Sequence, residues 1–180
     1  MTSLNLPNIL AILRILLAPL MLFFFVSRDL VIFENIHYSW LDYAAAFIFV
    51  IASVTDFFDG FIARSWNQIT VLGSILDPLA DKLLVLAGFI GLVYIDRANV
   101  WVVYLILSRE FFITGLRVVA ISQNKDVSAS FIGKSKTVAQ MFAIGFLTMD
   151  WTGGTILLYI SLFLSLYSAY EYVVGYAKKG

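Results

Sequence analysis

The chain is dominated by long apolar runs separated by short polar stretches. In order they cover about Ile9 to Val26, Leu41 to Arg64, Gly73 to Ile95, Trp101 to Ile121, Thr137 to Met149 and Thr155 to Tyr176. A backbone in hydrocarbon must satisfy its own N–H and C=O groups, which confines such runs to helices of about 20 residues each. The expectation is an all-α integral membrane protein with about six transmembrane helices, a single domain over residues 1–180. Composition agrees, with 61% of residues hydrophobic and 13% charged, where a soluble domain carries about a quarter charged residues. Six spans leave no length for a soluble domain. A formal net charge of zero gives no electrostatic reason for nucleic-acid binding. The absence of cysteine removes disulfides and thiol chemistry. The first apolar run follows no basic region and no small-residue cleavage site, so it is not read as a signal peptide.

One stretch breaks the apolar pattern in an ordered way. Between residues 56 and 81 lie four aspartates, Asp56, Asp59, Asp77 and Asp81. Spacings of three and four put each pair on one helix face, about a turn apart. The polar turn Ser65-Trp66-Asn67-Gln68 joins the two helix ends, and antiparallel packing would make all four carboxylates converge. A carboxylate near the centre of a membrane helix costs roughly 2.5–3.5 kcal/mol on insertion scales, and four together repel. Two divalent cations would balance them, and carboxylate oxygens are the ligands that magnesium, manganese and calcium prefer. Helix capping or pairing with Arg64 and Lys82 is the plainer alternative, but two bases cannot neutralise four acids.

Small residues are phased with the acids. Gly60 lies one turn after Asp56, Ala63 one turn after Asp59, and Gly73 one turn before Asp77. They leave room for a ligand to approach the backbone, although small residues in membrane helices also serve plain packing. Arg64 offers a planar fork suited to phosphate oxygens. Together these features suggest a nucleotide or diphosphate substrate.

Other charges sit inside or beside the spans. Arg14, in the first turns of the first span, is either a solvated anchor or a partner of the acids or of an anionic headgroup. Pro19 is expected to kink that span. The fourth span holds Arg109, Glu110 and Arg117; eight residues put Arg109 and Arg117 on roughly one face, while adjacent Arg109 and Glu110 are expected to need different partners. Glu110 is expected to tie helices together. Residues 122–135 form the longest polar loop, and Lys134 and Lys136 stand where the fifth span begins, as interface anchors or phosphate ligands. His37, the only histidine, is expected in a solvated loop. With the N-terminus inside, the interior segments hold Arg64, Lys125, Lys134, Lys136, Lys178 and Lys179, and the exterior ones Arg28 and Arg97. That bias puts both termini and the aspartates on the cytoplasmic side.

Written out, the stretch is Asp56-x2-Asp59-Gly60-x2-Ala63-Arg64-x8-Gly73-x3-Asp77-x3-Asp81. It resembles the signature of the CDP-alcohol phosphatidyltransferase family at all eight positions. The resemblance implies an enzyme that transfers the phosphatidyl group of CDP-diacylglycerol to an alcohol and releases CMP. It implies two divalent cations, Mg2+ or Mn2+, on Asp56, Asp59, Asp77 and Asp81, with Asp81 as general base. It assigns the CDP-lipid to Asp56, Gly60, Ala63, Arg64 and Gly73. Three further stretches resemble the bacterial branch that uses sn-glycerol 3-phosphate: Asn5-Leu6-Pro7-Asn8 with Arg14, Ser108-Arg109-Glu110 with Arg117, and Gly133-Lys134-Ser135-Lys136-Thr137. Trp66-Asn67-Gln68 resembles it too. The acceptor phosphate then falls to Arg109, Arg117, Lys134 and Lys136, since a dianion needs several cations. The same resemblance implies a homodimer in the bacterial inner membrane. A sister transferase using phosphatidylglycerol, serine or an inositol phosphate is the nearest alternative; a divalent-cation transporter and a non-catalytic membrane partner are more distant ones.

Overall fold

In the computed structural model, residues 6–65, 71–123 and 131–178 are described, with the side chains at 6–7, 57–65, 71–72, 74–75, 131 and 178 excepted. Among the described residues, six α-helices and one 3₁₀ turn account for the regular structure, and no strand occurs. They are α1 (Leu6–Val26), the 3₁₀ turn Val31–Phe33, α2 (Tyr38–Ser65), α3 (Val71–Tyr94), α4 (Val100–Ser122), α5 (Phe131–Thr148) and α6 (Gly154–Lys178). By length and apolar character, Asn8–Val26, Tyr38–Asp56 and Gly154–Ala177 can each cross a membrane. Helices α3 and α4 have 24 and 23 residues but carry Asp77, Asp81 and Lys82, and Arg109, Glu110 and Arg117, respectively.

Two expected boundaries shift. Helix α5 begins at Phe131 rather than about Thr137, so Lys134 and Lys136 lie within its first turns instead of before it. Thr137 Oγ1 donates back to the Gly133 carbonyl at 3.4 Å, a bond that belongs to the helical turn. Helix α3 begins at Val71 rather than about Gly73, and Pro78 sits well inside it. The ring removes the donor for the carbonyl four residues earlier.

The chain forms two compact units, residues 1–97 and 98–180. In the first, α1 is central and packs on both α2 and α3. Its buried face runs Asn8, Ala11, Arg14, Ala18, Met21 and Phe25, all at most 1% exposed. These positions repeat every three or four residues, the stripe that one helix shows to packed neighbours. Leu13, Leu16, Leu20 and Phe23 lie exposed elsewhere on the helix, as suits a side turned to lipid. The contact with α3 is close at Gly91, where an added Cβ would lie 2.1 Å from Phe25 Cδ2.

Helix ends are shaped by aspartates. Asp96 has φ of 58°, and the Arg97 N–H bonds to the Leu92 carbonyl at 2.9 Å while the Asp96 N–H bonds to that of Val93 at 3.1 Å. This left-handed closure of α3 makes a tight turn at Asp96-Arg97. Asp150, with φ of 55°, closes α5 the same way, through Trp151 N–H to the Phe146 carbonyl at 2.9 Å. Asn99 caps α4, its side chain accepting from the N–H groups of Trp101 and Val102.

Within the first unit, Asp42 is buried and holds two arginines. Arg28 pairs with its Oδ1, and Arg97 Nη2 stands 2.8 Å from Oδ2. Arg28 also lies over the Phe25 and Tyr38 rings, 5.9 Å from each centroid. One carboxylate thus joins the segment after α1, the start of α2 and the end of α3. His37 lies in the exposed turn before α2, with Nδ1 3.0 Å from Ser39 Oγ.

In the second unit α6 is central and packs on α4 and α5. Its buried stripe is Leu158, Ser161, Ser165, Ser168 and Tyr172. Three serines in a row let neighbouring helices approach closely.

Candidate active site

The carboxylates of the first unit come from α2 and α3 and are gathered by a residue of α1. Arg14 Nη1 donates to Asp56 Oδ1 and to Asp81 Oδ1, and its Nη2 lies 3.8 Å from Asp77 Oδ1. The Arg14 side chain is fully buried, whereas those of Asp56, Asp77 and Asp81 are 33%, 40% and 41% exposed. The guanidinium therefore lies beneath a carboxylate cluster that stays open on its other side. Arg14 is not a solvated anchor: its place on the buried stripe of α1 leaves the stem no route to the interface. Asp77 and Asp81, four residues apart, reach the same group from successive turns of α3.

Asp59, Gly60, Ala63 and Arg64 belong to the last turns of α2, but their side chains lie outside the described set. Gly73 is buried in the first turn of α3. The turn Trp66-Asn67-Gln68, and Lys125 and Asp126, lie outside the described residues.

The donor set suits a hard divalent cation. Three side chains offer carboxylate oxygens only, the ligand type that magnesium and manganese favour. Among the described residues Asp77 Oδ1 is buried and makes no hydrogen bond, which leaves a costly anionic oxygen available to a cation. Among the described residues no three acids stand arranged as a finished metal cage; the centre of the cluster belongs to Arg14.

The second unit holds a polar network around Glu110. Lys136 Nζ donates to Glu110 Oε2, which ties α5 to α4 as expected of Glu110. Arg109 Nη1 also reaches that oxygen at 3.2 Å, and Arg109 Nη2 donates to Ser168 Oγ of α6 at 2.9 Å. Arg109 and Glu110 were expected to need different partners; the carboxylate's reach lets it serve both its neighbour and Lys136. Arg117, two turns after Arg109, lies over the Tyr172 ring at 5.9 Å. Lys136 is buried and Lys134 exposed. Three donors here, Arg109 Nε, Gln140 Nε2 and Tyr172 Oη, are buried without a hydrogen-bond partner. Gln140 follows Lys136 by one turn and Tyr172 follows Ser168 by one turn, so both lie on the helix faces that carry the network. Neither was singled out in the sequence, where a lone glutamine or tyrosine in an apolar run carries no motif.

Comparison with known proteins gives this arrangement its family. The CDP-alcohol phosphatidyltransferase family model matches residues 4–167, from the start of α1 into α6. A CDP-diacylglycerol–glycerol-3-phosphate 3-phosphatidyltransferase of Bacillus subtilis (strain 168) is 39% identical over 93% of each chain. Proteins of the same name from Rickettsia typhi (strain ATCC VR-144 / Wilmington) and Escherichia coli (strain K12) are 38% and 37% identical. These two alignments cover 93% and 94% of this chain, and 94% and 93% of those. With the match covering most of both units, the chain belongs to the CDP-alcohol phosphatidyltransferase family.

Proposed function

We propose that this protein transfers the phosphatidyl group of CDP-diacylglycerol to sn-glycerol 3-phosphate, giving phosphatidylglycerol phosphate and CMP. The observation that carries the reading is identity of 37–39% over more than nine-tenths of the chain to enzymes of that name. The whole chain, 1–180, acts as one catalytic domain in the bacterial inner membrane, with six spans, both termini cytoplasmic and a homodimeric assembly. Every helix then crosses the bilayer, with Arg109 of α4 and Lys136 of α5 keeping their charges on protein-facing sides.

Asp56, Asp59, Asp77 and Asp81 are the residues that would hold two divalent cations, Mg2+ or Mn2+. When bound, such ions neutralise charge on a diphosphate and on both oxygens of an in-line displacement. The chain's own groups do the rest. Asp81, with a partly exposed carboxylate, accepts the proton of the acceptor hydroxyl as that oxygen attacks the lipid-side phosphorus. The bond to the bridging oxygen breaks, and CMP leaves with the electron pair. Asp56, Gly60, Ala63, Arg64 and Gly73 seat the CDP-lipid. Arg109, Arg117, Lys134 and Lys136 take the acceptor phosphate. Supporting this, Glu110 already gathers Arg109 and Lys136, both with largely buried side chains, and a dianionic phosphate can replace it as their partner. Catalysis is then mostly positioning and electrostatics.

The test is CMP release by purified protein with CDP-diacylglycerol and Mg2+. Release that requires glycerol 3-phosphate and stops with chelator is the expected result. Release with another alcohol instead would keep the family and overturn the acceptor. No release with any alcohol would reopen the cation-transporter reading.

A further inference from the structure

Arg14 stands where a cation would be expected in a carboxylate cluster, yet it is part of the chain. Its Nη1 is shared by Asp56 Oδ1 and Asp81 Oδ1, one oxygen from each of two helices. Its third neighbour is Asp77 Oδ1, at 3.8 Å. The stem is fixed between Ala11 and Ala18, both at most 1% exposed, so the charge cannot be withdrawn into water. The acids themselves stay open.

We propose that Arg14 is a built-in competitor of the metal, and that divalent ions enter this site by exchange with its guanidinium. The inference rests on the metal–carboxylate reading above and adds how that site is filled. An oxygen held by an N–H of Arg14 cannot also lie against an ion centred on the same spot. Two cations sharing those oxygens also repel. Binding of a metal alone therefore includes the cost of moving a buried guanidinium off its partners. A diphosphate arriving with the metal changes the balance, because its oxygens give the displaced fork an anionic partner. Metal and CDP-lipid thus strengthen each other's binding, and by linkage the effect is reciprocal.

The experiment titrates Mn2+ into the purified full chain in detergent micelles and reads free Mn2+ by EPR. Thermal unfolding is followed in chelator and in Mn2+. Arg14→Gln removes the charge at similar size, and Arg14→Lys keeps it. The expected result is Mn2+ binding to R14Q at least about tenfold tighter than to wild type without lipid, with R14K close to wild type. CDP-diacylglycerol is expected to tighten Mn2+ binding by wild type but to have little effect on R14Q. R14Q unfolds at a lower temperature in chelator, and Mn2+ restores it. An R14Q that binds Mn2+ no more tightly than wild type, or whose stability Mn2+ does not restore, would make Arg14 a structural cross-link and overturn the proposal. If wild type and variants all fail to bind Mn2+ while CMP release continues in chelator, the metal reading fails, and the proposal with it.

Discussion

At the scale of single residues, the roles assigned to Asp81 and to the basic network separate by kinetics. Asp81→Asn keeps the side chain's size and removes its basicity. Loss of a general base costs about 10²–10⁴ in rate, so turnover is expected to fall by that much while CDP-diacylglycerol binding, measured by equilibrium filtration, persists. Normal turnover would remove Asp81 from the role. Arg109→Ala and Lys136→Ala each delete a hydrogen bond to a charged group, about 1.5–3 kcal/mol. The apparent KM for glycerol 3-phosphate is expected to rise about ten- to a hundredfold, and that for CDP-diacylglycerol to change little. Lys134 is exposed, so Lys134→Ala is expected to have a smaller effect than Lys136→Ala. Legibility at this scale divides by type of signal. The aspartates could be read because acids at helical spacing stand out against apolar sequence. Arg14 could be flagged but not placed, because residues 9–26 are apolar all round and hide which face is buried. Asp42 could not be found at all, since its partners Arg28 and Arg97 lie far apart in sequence and only the fold brings them to one carboxylate.

At the scale of helices, glycine positions test the packing. An alanine Cβ at Gly91 would overlap the buried Phe25 ring, with Cδ2 at 2.1 Å and Cγ at 2.7 Å. A ring fixed at 0% exposure has little freedom to yield, so Gly91→Ala is expected to destabilise by about 1–3 kcal/mol, the usual cost of overpacking. Gly145 in α5 has nothing within 4 Å of an added Cβ, and Gly145→Ala is expected to be neutral or to stabilise by up to about 1 kcal/mol through helix propensity. Thermal unfolding of the two variants in the same detergent decides it; equal Tm values would contradict the close α1–α3 contact. The helices themselves were legible from apolar run length, because a buried or lipid-facing backbone has few other options. Their ends were not. Helix α5 starts six residues before its apolar run because Lys136 can be buried in a helical turn once Glu110 of α4 receives its charge, and that partner is 26 residues away.

At the scale of the whole molecule, the proposed orientation follows from where charges and aromatic rings fall along the chain. With the N-terminus cytoplasmic, the segments after α1, α3 and α5 and before α2, α4 and α6 are exterior. Three of the four tryptophans, Trp40, Trp101 and Trp151, lie at those helix ends. Each meets another ring, at Tyr43, Tyr104 and Phe146, as in an interfacial aromatic belt. The two exterior arginines, Arg28 and Arg97, are both held by Asp42, so the exterior side shows little net positive charge, whereas Lys125, Lys134, Lys178 and Lys179 favour the interior. The chain has no cysteine, so single cysteines can report topology without background. Asn35→Cys and Thr152→Cys lie in the segments after α1 and after α5, and are expected to react with a membrane-impermeant maleimide in intact spheroplasts. Ser122→Cys, exposed at the end of α4, is expected to react only after permeabilisation. The opposite labelling pattern would invert the molecule and put the aspartate cluster on the face away from soluble glycerol 3-phosphate. Labelling of all three from one side would contradict six crossings while leaving the family intact.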